Sequence, residues 1–242
     1  MPTSFSRSIR LAVPALLAVA MVVTPQGCTD LAEKPFSVIT PDVFYRNDDE
    51  VRAGLAAVYS QLNTASTGNY RYLNQIPADD EVIPVRGQDW FDNGAHLEAQ
   101  RHTFQAGSPL ALGTINSAWT QNFTGVARAN VLLEAIQDLP LANKPRTIAE
   151  VRVLRAYFYS NLIDLFGGLP IVTDAAVAPR ERDTRAATFA FIEKELTESK
   201  ADLPVTWPTT DYGRATKGWE RFMTPNLAFP HRRPPRGGEG AG

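Results

Sequence analysis

Four stretches of the chain place apolar residues three and four positions apart, which is the spacing of one helix face. They cover residues 47–62, 115–139, 147–168 and 188–204. In the second stretch the predicted inward face consists of Ile115, Trp119, Phe123, Val126, Asn130, Leu133 and Ile136. No strand pattern of any length accompanies them. The sequence therefore predicts an all-α fold of antiparallel helix pairs joined by long irregular loops.

Capping residues give the expected ends of these helices. Thr40-Pro41 resembles a cap followed by proline, and Asn47 with the acidic residues after it suits the positive end of a helix dipole. Thr147 and Glu150 have the spacing of a capping box, and Gly167-Gly168 can terminate that helix. The third helix is apolar nearly all round, which predicts burial between neighbours.

Several polar and aromatic residues on the predicted helices are interpreted as structural and not as functional. Arg152 and Arg155 are expected to be exposed charges that pair weakly with Glu150 or Asp164. Asn130 interrupts an apolar face and is expected to bond to backbone at a helix junction. The aromatic residues of the second and third helices are interpreted as core packing; they are Trp119, Phe123, Tyr157 and Phe158.

Three regions lack helical periodicity. Residues 63–70 are polar and turn-like, and prolines and glycines in residues 76–94 exclude a long helix there. After Gly218, proline, arginine and glycine replace periodic apolar residues, so residues 219–242 are expected to be disordered and unable to sustain a helix. This tail is either a natural flexible terminus or an aberrant, frame-shifted end.

The first residues have the pattern of an export signal. Arg7 and Arg10 precede an uncharged apolar run over residues 11–23, which is too short to span a bilayer. Cys28, the single cysteine of the chain, follows that run and cannot form an internal disulfide. Its position resembles a lipobox, although Pro25 stands where leucine is usual; the alternative is a chance cysteine near an ordinary cleavage site. The expected organisation is a signal peptide over residues 1–27 and a lipidated tether over 28–40.

Composition and charge narrow the class of function only slightly. The chain has 242 residues, 44% of them hydrophobic, and a formal net charge of -2. Such a balance is ordinary for a globular protein and makes nucleic acid a poor partner. His96 and His102 do not have a common zinc spacing, and no phosphate-loop or Ser-His-Asp motif is visible. We expect no cofactor and no bound metal.

Several motifs together resemble the SusD/RagB family of outer-membrane nutrient-binding lipoproteins. They are "DDEVIPVRGQDWFDNG", "INSAWTQNFTGVARAN", "AEVRVLRAYFYSNLIDLFGGLPIV" and "YGRATKG". The resemblance runs from the region of Cys28 to about Gly218, roughly the N-terminal half of a typical member. Its helical domain would cover residues 41–218, and the alanine- and leucine-rich helix that members carry next is missing here.

The resemblance implies a fold of tetratricopeptide-like helix pairs, incomplete in this chain, and a function without catalysis. A member would be anchored through Cys28 in the outer membrane, facing the exterior, and would pass oligosaccharides or similar nutrients to a SusC-like TonB-dependent transporter. The other hypotheses are a helical scaffold that binds proteins without glycan and a secreted glycosidase using Asp79, Asp80 and Glu81. Adjacent carboxylates rarely face each other across a substrate, which disfavours the glycosidase.

One loop concentrates the residue types that sugars require. An aromatic ring stacks on the apolar face of a pyranose while planar polar groups bond its hydroxyls. Trp90 and Phe91 are the candidate platforms, and the candidate hydroxyl partners are Arg86, Asp89, Asp92 and Asn93. The alternative is that Trp90 only anchors the loop to the core.

Overall fold

Helices make up the regular structure of residues 44–219 and Met223, which are the residues that the computed structural model describes. The α-helices are α1 (Asp48–Thr67), α2 (Asn69–Gln75), α3 (Ala95–Arg101), α4 (Asn116–Ala135), α5 (Lys144–Phe166) and α6 (Arg185–Ser199). A π-helical turn (Ala111–Ile115) leads into α4, and short 3-10 turns occur at Asp92–Gly94 and Thr209–Asp211. No strand forms within this range, so the predicted all-α class is confirmed.

The expectations for the N-terminal segment fall outside that range. The export signal, the tether with Cys28 and the Thr40-Pro41 cap all precede Phe44 and lie outside the described residues. Of the helices in the described part of the chain, none combines the length and the apolar character needed to cross a membrane.

Helix α1 begins where its sequence predicts. The Asn47 side chain accepts a hydrogen bond from the Glu50 amide at 3.0 Å, which satisfies one of the free N–H groups of the first turn. Val51, Leu55 and Val58 are buried along one face. The predicted turn over residues 63–70 is wrong, because helix continues to Thr67 and resumes at Asn69 with only Gly68 between.

Tertiary contacts explain why this polar stretch is helical. Ala65 is fully buried, and the Ser66 hydroxyl lies 2.8 Å from the Tyr157 hydroxyl of α5. Asn69 donates to the Gln121 side chain of α4 at 3.2 Å. Packing against α4 and α5 therefore outweighs the weak intrinsic helix propensity of these residues.

Helix α5 is the centre of the main hydrophobic core and packs against α1, α4 and α6. Phe158 is fully buried, and a Cβ atom at Gly125 of α4 would lie 2.5 Å from its ring, so only glycine permits this approach. Trp119, Phe123 and Tyr157 are partly buried against the same core, and the packing role predicted for these aromatics is confirmed. The predicted end of α5 is also correct, because its C-cap is Gly167 with a φ of 76°.

The predicted capping box at the start of α5 is wrong. The helix begins at Lys144 after Asn143, and Thr147 lies inside it with its hydroxyl bonded to the Asn143 carbonyl at 3.2 Å. Glu150 is instead fully buried and has a different role. It accepts hydrogen bonds from the Tyr59 hydroxyl at 2.8 Å and from Nη2 and Nε of Arg214 at 2.7 and 3.0 Å.

This buried carboxylate attaches the segment "YGRATKG" to the helices. Arg214 reaches Glu150 with two parallel hydrogen bonds, a geometry that is specific to arginine and carboxylate. The Ala215 amide donates to the Tyr59 hydroxyl at 2.7 Å, and Ala215 itself is fully buried. Burial raises the pKa of Tyr59 and the Glu150 charge raises it further, so the hydroxyl stays neutral and can donate.

The interpretation of Arg152 and Arg155 as exposed, weakly paired charges is wrong. Arg155 is buried and donates to Glu195 of α6 at 2.6 and 2.8 Å, and to the Asn130 side chain of α4 at 2.7 Å. Arg152 also bonds to Glu195, at 2.9 Å. Asn130 then donates to the carbonyls of Val172 and Asp174, which confirms its predicted bond to backbone.

Two residues after Gly218, Trp219 and Met223, are among those that the structure describes. Residues 217–219 and 223 are helical. The Trp219 ring lies 6.0 Å from the Tyr157 ring between centroids, and Met223 is buried in the main core. Both residues thus contact the main core, while the boundary at residue 218 and the disorder of the tail stay predictions. The remaining residues of the 219–242 segment lie outside the described range.

A second, smaller hydrophobic cluster lies under the long irregular region. Its buried members are Ile76, Ala95, Ala99 and Leu110, and Tyr72 and Ile83 pack against it. Sequence reasoning assigned no helix to residues 95–101, yet α3 supplies two of those buried alanines. The Glu98 side chain accepts the Leu110 amide at 3.0 Å, which joins α3 to the helical segment before α4.

We expect Glu195→Gln to lower the free energy of unfolding by about 3 kcal/mol, because it leaves the buried Arg155 guanidinium without its carboxylate. Urea unfolding of the variant measures this difference. Glu193→Gln is the matched control, since Glu193 is an exposed glutamate on the same helix, and it should change stability by less than about 0.5 kcal/mol. Equal losses in the two variants would contradict a buried, energetically important ion pair.

Candidate functional site

A cavity of about 290 Å³ lies between helix α2 and the irregular region that follows it. Its lining residues come from two segments of the chain and combine rings, aliphatic groups and charges. They are Arg71, Tyr72, Glu81, Val82, Ile83, Pro84, Arg86, Asp89 and Trp90. This size matches the lower end of small-ligand sites.

Trp90 is an exposed aromatic wall of this cavity. Its side chain is 59% exposed, and the neighbouring Val82 and Val85 are 58% and 55% exposed. A tryptophan that only anchors a loop would be buried in the core, as large aromatics usually are. Its exposure favours the platform interpretation of Trp90 over the anchor interpretation.

The backbone around Trp90 adopts an unusual conformation. Trp90, Asp92 and Asn93 have φ values of 54°, 42° and 53°, in the left-handed region that side chains disfavour. Gly94 follows at 88°, where glycine has no such cost. The Asp89 amide bonds to the Arg86 carbonyl at 3.2 Å and the Gly94 amide to the Phe91 carbonyl at 2.7 Å, so the loop is two tight turns in succession.

One side-chain contact ties this loop to the helix beneath it. The Asp92 carboxylate lies 2.8 Å from Nε2 of His96, whose side chain is only 6% exposed. Because a carboxylate only accepts, Nε2 carries the hydrogen of this bond. The Nδ1 atom of His96 is buried without a hydrogen-bond partner within the described part of the chain.

Helix α2 provides the opposite wall. The Arg71 guanidinium lies 4.5 Å from the centre of the Tyr72 ring and 2.6 Å from the Glu81 carboxylate. The hydrogen bond with Glu81 raises the pKa of Arg71 above its ordinary value, so this cation stays charged. The edge of the Tyr72 ring meets His96 at 5.4 Å between centroids, which connects this wall to the loop.

The cavity combines the groups that a polyhydroxylated ring requires. Trp90 offers an exposed ring face, and guanidinium and carboxylate groups of Arg71, Arg86, Glu81 and Asp89 offer donors and acceptors. Two positive and two negative charges balance, so the arrangement does not select for an anionic ligand. Aromatic stacking with multiple hydrogen bonds is the interaction that this site can make.

The structure brings together some of the predicted site residues and separates others. Trp90, Arg86 and Asp89 line the cavity, whereas Phe91, Asp92 and Asn93 are not among the lining residues. Sequence reasoning missed Arg71 and Tyr72, because the seven-residue helix α2 that carries them has no periodic apolar pattern. The sequence signal that could have indicated them is an arginine next to a tyrosine, followed about ten positions later by a cluster of carboxylates.

The carboxylates and histidines considered for catalysis or zinc binding have separate environments. Asp79 and Asp80 are exposed, and Glu81 is paired with Arg71. His96 bonds to Asp92, while His102 bonds to the Pro77 carbonyl at 3.1 Å. Over the described residues, no three histidine, cysteine or acidic side chains are grouped so that they could hold a metal ion.

Comparison with known proteins identifies the family to which this fold belongs. Residues 46–218 match the model of a SusD-like family described as starch-binding and associating with the outer membrane. That match covers most of the chain, and the chain belongs to this family. The recognition made from the sequence motifs is confirmed.

Curated and structural relatives agree with this assignment. Two SusD-like proteins of Formosa agariphila are each 24% identical to this chain, over 209 and 196 residues. A laminarin-binding SusD-like protein of known structure is 25% identical, with a TM-score of 0.65 over 76% of this chain. Surface glycan-binding protein A from Bacteroides fluxus, 18% identical, shares the fold with a TM-score of 0.63 over 76% of this chain.

These matches cover only part of each relative. The chain spans 37% and 36% of the length of the two curated relatives, and 40% of each of the two solved chains. The descriptions of the family and of the structural neighbours refer to binding and not to catalysis, in agreement with the expectation that the chain is not an enzyme.

We expect Trp90→Ala to change the free energy of unfolding by less than about 0.5 kcal/mol, because an exposed side chain contributes little to the core. Trp119→Ala is the comparison, since Trp119 packs against Phe123 and Phe166 at 4.6 and 5.1 Å between ring centroids. Removing that ring should cost about 3 kcal/mol. Urea unfolding of both variants measures the difference, and similar losses would restore the anchor interpretation of Trp90.

Proposed function

We propose that this chain is a non-catalytic, surface-exposed lipoprotein that binds oligosaccharides or similar nutrients at the cavity beside Trp90. It delivers them to a SusC-like TonB-dependent transporter in the outer membrane. The observation that carries this proposal is the exposed indole of Trp90 at a cavity whose other walls hold two cations and two carboxylates.

The chemistry of the cavity supports a carbohydrate over other small ligands. A pyranose has an apolar C–H face that stacks on an indole and a rim of hydroxyls that both donate and accept. Arg86 can donate to hydroxyl oxygens, and Asp89 can accept from hydroxyl hydrogens beside the same ring. Phe91 and Asn93 do not line the cavity, and their proposed role is to contact a longer glycan that extends beyond it.

The names of the relatives support the same class of ligand. The family is described as starch-binding, one neighbour as laminarin-binding and another as a surface glycan-binding protein. Both named polysaccharides are neutral glucans, which suits a cavity whose charges cancel. The described association of the family with the outer membrane supports anchoring of this chain through Cys28.

Trp90→Ala should weaken retention of the full chain in gels containing soluble starch or laminarin by about tenfold or more, since it removes the stacking surface. Affinity electrophoresis over a series of glycan concentrations measures the change. Tyr212→Ala is the control, because Tyr212 is 92% exposed and lies outside the cavity.

Two outcomes would contradict glycan binding at this cavity. Trp90→Ala could be retained as strongly as the unmodified chain, or both variants could weaken retention equally. If the unmodified chain is retained by no glycan yet still captures the transporter, the protein is a helical scaffold for protein partners.

Lipidation of Cys28 predicts a second measurable property. Mass spectrometry of the mature protein should find acyl chains on Cys28, and Cys28→Ser should move the protein from the membrane fraction to the soluble fraction, because two or more acyl chains anchor stably. An unmodified sulfur on a protein released into the medium would contradict the surface location without affecting the glycan site.

A further inference from the structure

The loop that carries Trp90 needs an external support. Three residues with side chains, Trp90, Asp92 and Asn93, lie in the left-handed region within four positions. Such conformations persist only when surrounding contacts hold them. The residues of the cavity mouth, Arg86 to Trp90, are all exposed, so burial in the core does not hold them in place.

His96 makes the contact that meets this need. Its Nε2 atom lies 2.8 Å from the Asp92 carboxylate, which belongs to the left-handed turn directly after Trp90. The same imidazole meets the Tyr72 ring at 5.4 Å between centroids and an angle of 68°. One buried side chain therefore contacts the loop on one side and the α2 wall of the cavity on the other.

A histidine at this position is unfavourable if its only role is to fill space. Nδ1 is buried and has no partner in the described part of the chain, and an unsatisfied buried polar atom destabilises a fold. An aromatic hydrocarbon ring could pack against Tyr72 without that cost. The bond from Nε2 to Asp92 is the interaction that a hydrocarbon ring could not make.

We propose that His96 is a positioning residue for glycan binding, acting through Asp92 to hold the turn that presents the Trp90 indole to the cavity. The binding role of the cavity rests on the proposed function above. In this proposal Asp92 serves the site through its bond to His96 and not by contacting the ligand.

Three variants separate the hydrogen bond from the packing. His96→Phe keeps a buried ring but loses the donor, His96→Gln keeps an N–H donor near the place of Nε2, and Asp92→Ala removes the acceptor. His96→Phe and Asp92→Ala should each weaken retention by starch or laminarin about tenfold, whereas His96→Gln should stay within about threefold of the unmodified chain. Tyr212→Ala, at an exposed residue outside the cavity, is again the control and should leave retention unchanged.

The double variant distinguishes positioning from direct ligand contact. If His96 and Asp92 act as one unit, combining His96→Phe with Asp92→Ala should weaken retention no more than either change alone. If Asp92 contacted the glycan itself, its removal would weaken retention further in the His96→Phe chain. Multiplying losses would therefore overturn the proposal.

A readout without glycan keeps this test independent of the proposed function. Fluorine NMR of the full chain with fluorotryptophan gives a Trp90 signal, identified by its disappearance in Trp90→Phe. His96→Phe and Asp92→Ala should shift or broaden that signal while the other tryptophan signals stay in place, and His96→Gln should restore it. An unchanged Trp90 signal would refute the positioning role even if Trp90→Ala abolishes glycan retention. If Trp90→Ala leaves retention intact, the glycan function fails and the signal alone decides whether His96 holds the loop.

Discussion

Two buried charges on helix α5 determine how the rest of the described chain is arranged. Glu150 and Arg155 lie in the middle of the main core, where an unpaired charge would be strongly destabilising. Glu150 is neutralised by Arg214 and bonded by Tyr59, while Arg155 is neutralised by Glu195 and bonded to Asn130. These two sites therefore tie α1, α4, α6 and the "YGRATKG" segment to one helix in one register.

The same constraint explains which parts of the fold could be predicted from the sequence. The helices around α5 bury long apolar faces, so their periodicity is strong and α1, α4, α5 and α6 were all predicted. Their charged residues were not interpreted correctly, because Arg152 and Arg155 resemble exposed helix charges until Glu195 of another helix is placed beside them. Pairing over 40 or more sequence positions leaves no local pattern.

The candidate site likewise contains residues that could be predicted from the sequence and residues that could not. Trp90, Arg86 and Asp89 could be found because one short loop concentrates aromatic and polar residues in a family motif. Arg71 and Tyr72 could not, because they lie on a seven-residue helix whose stability comes from tertiary contacts and not from its own sequence. The contact of Asp92 with His96 was not predicted either, because the sequence indicated His96 only as a poor zinc ligand.

The cavity adjoins the smaller hydrophobic cluster, because Tyr72 and Ile83 line the cavity and pack against that cluster. The cluster has far fewer buried members than the core around α5, and two of them are alanines. Little apolar area is removed from water there, so this region can open locally while the large helices remain folded. Backbone amides of α3 would then exchange with solvent sooner than those of α5, and a ligand that bridges α2 and the loop would slow that exchange. The proposed ligand site and the main core are thus expected to unfold as separate cooperative units.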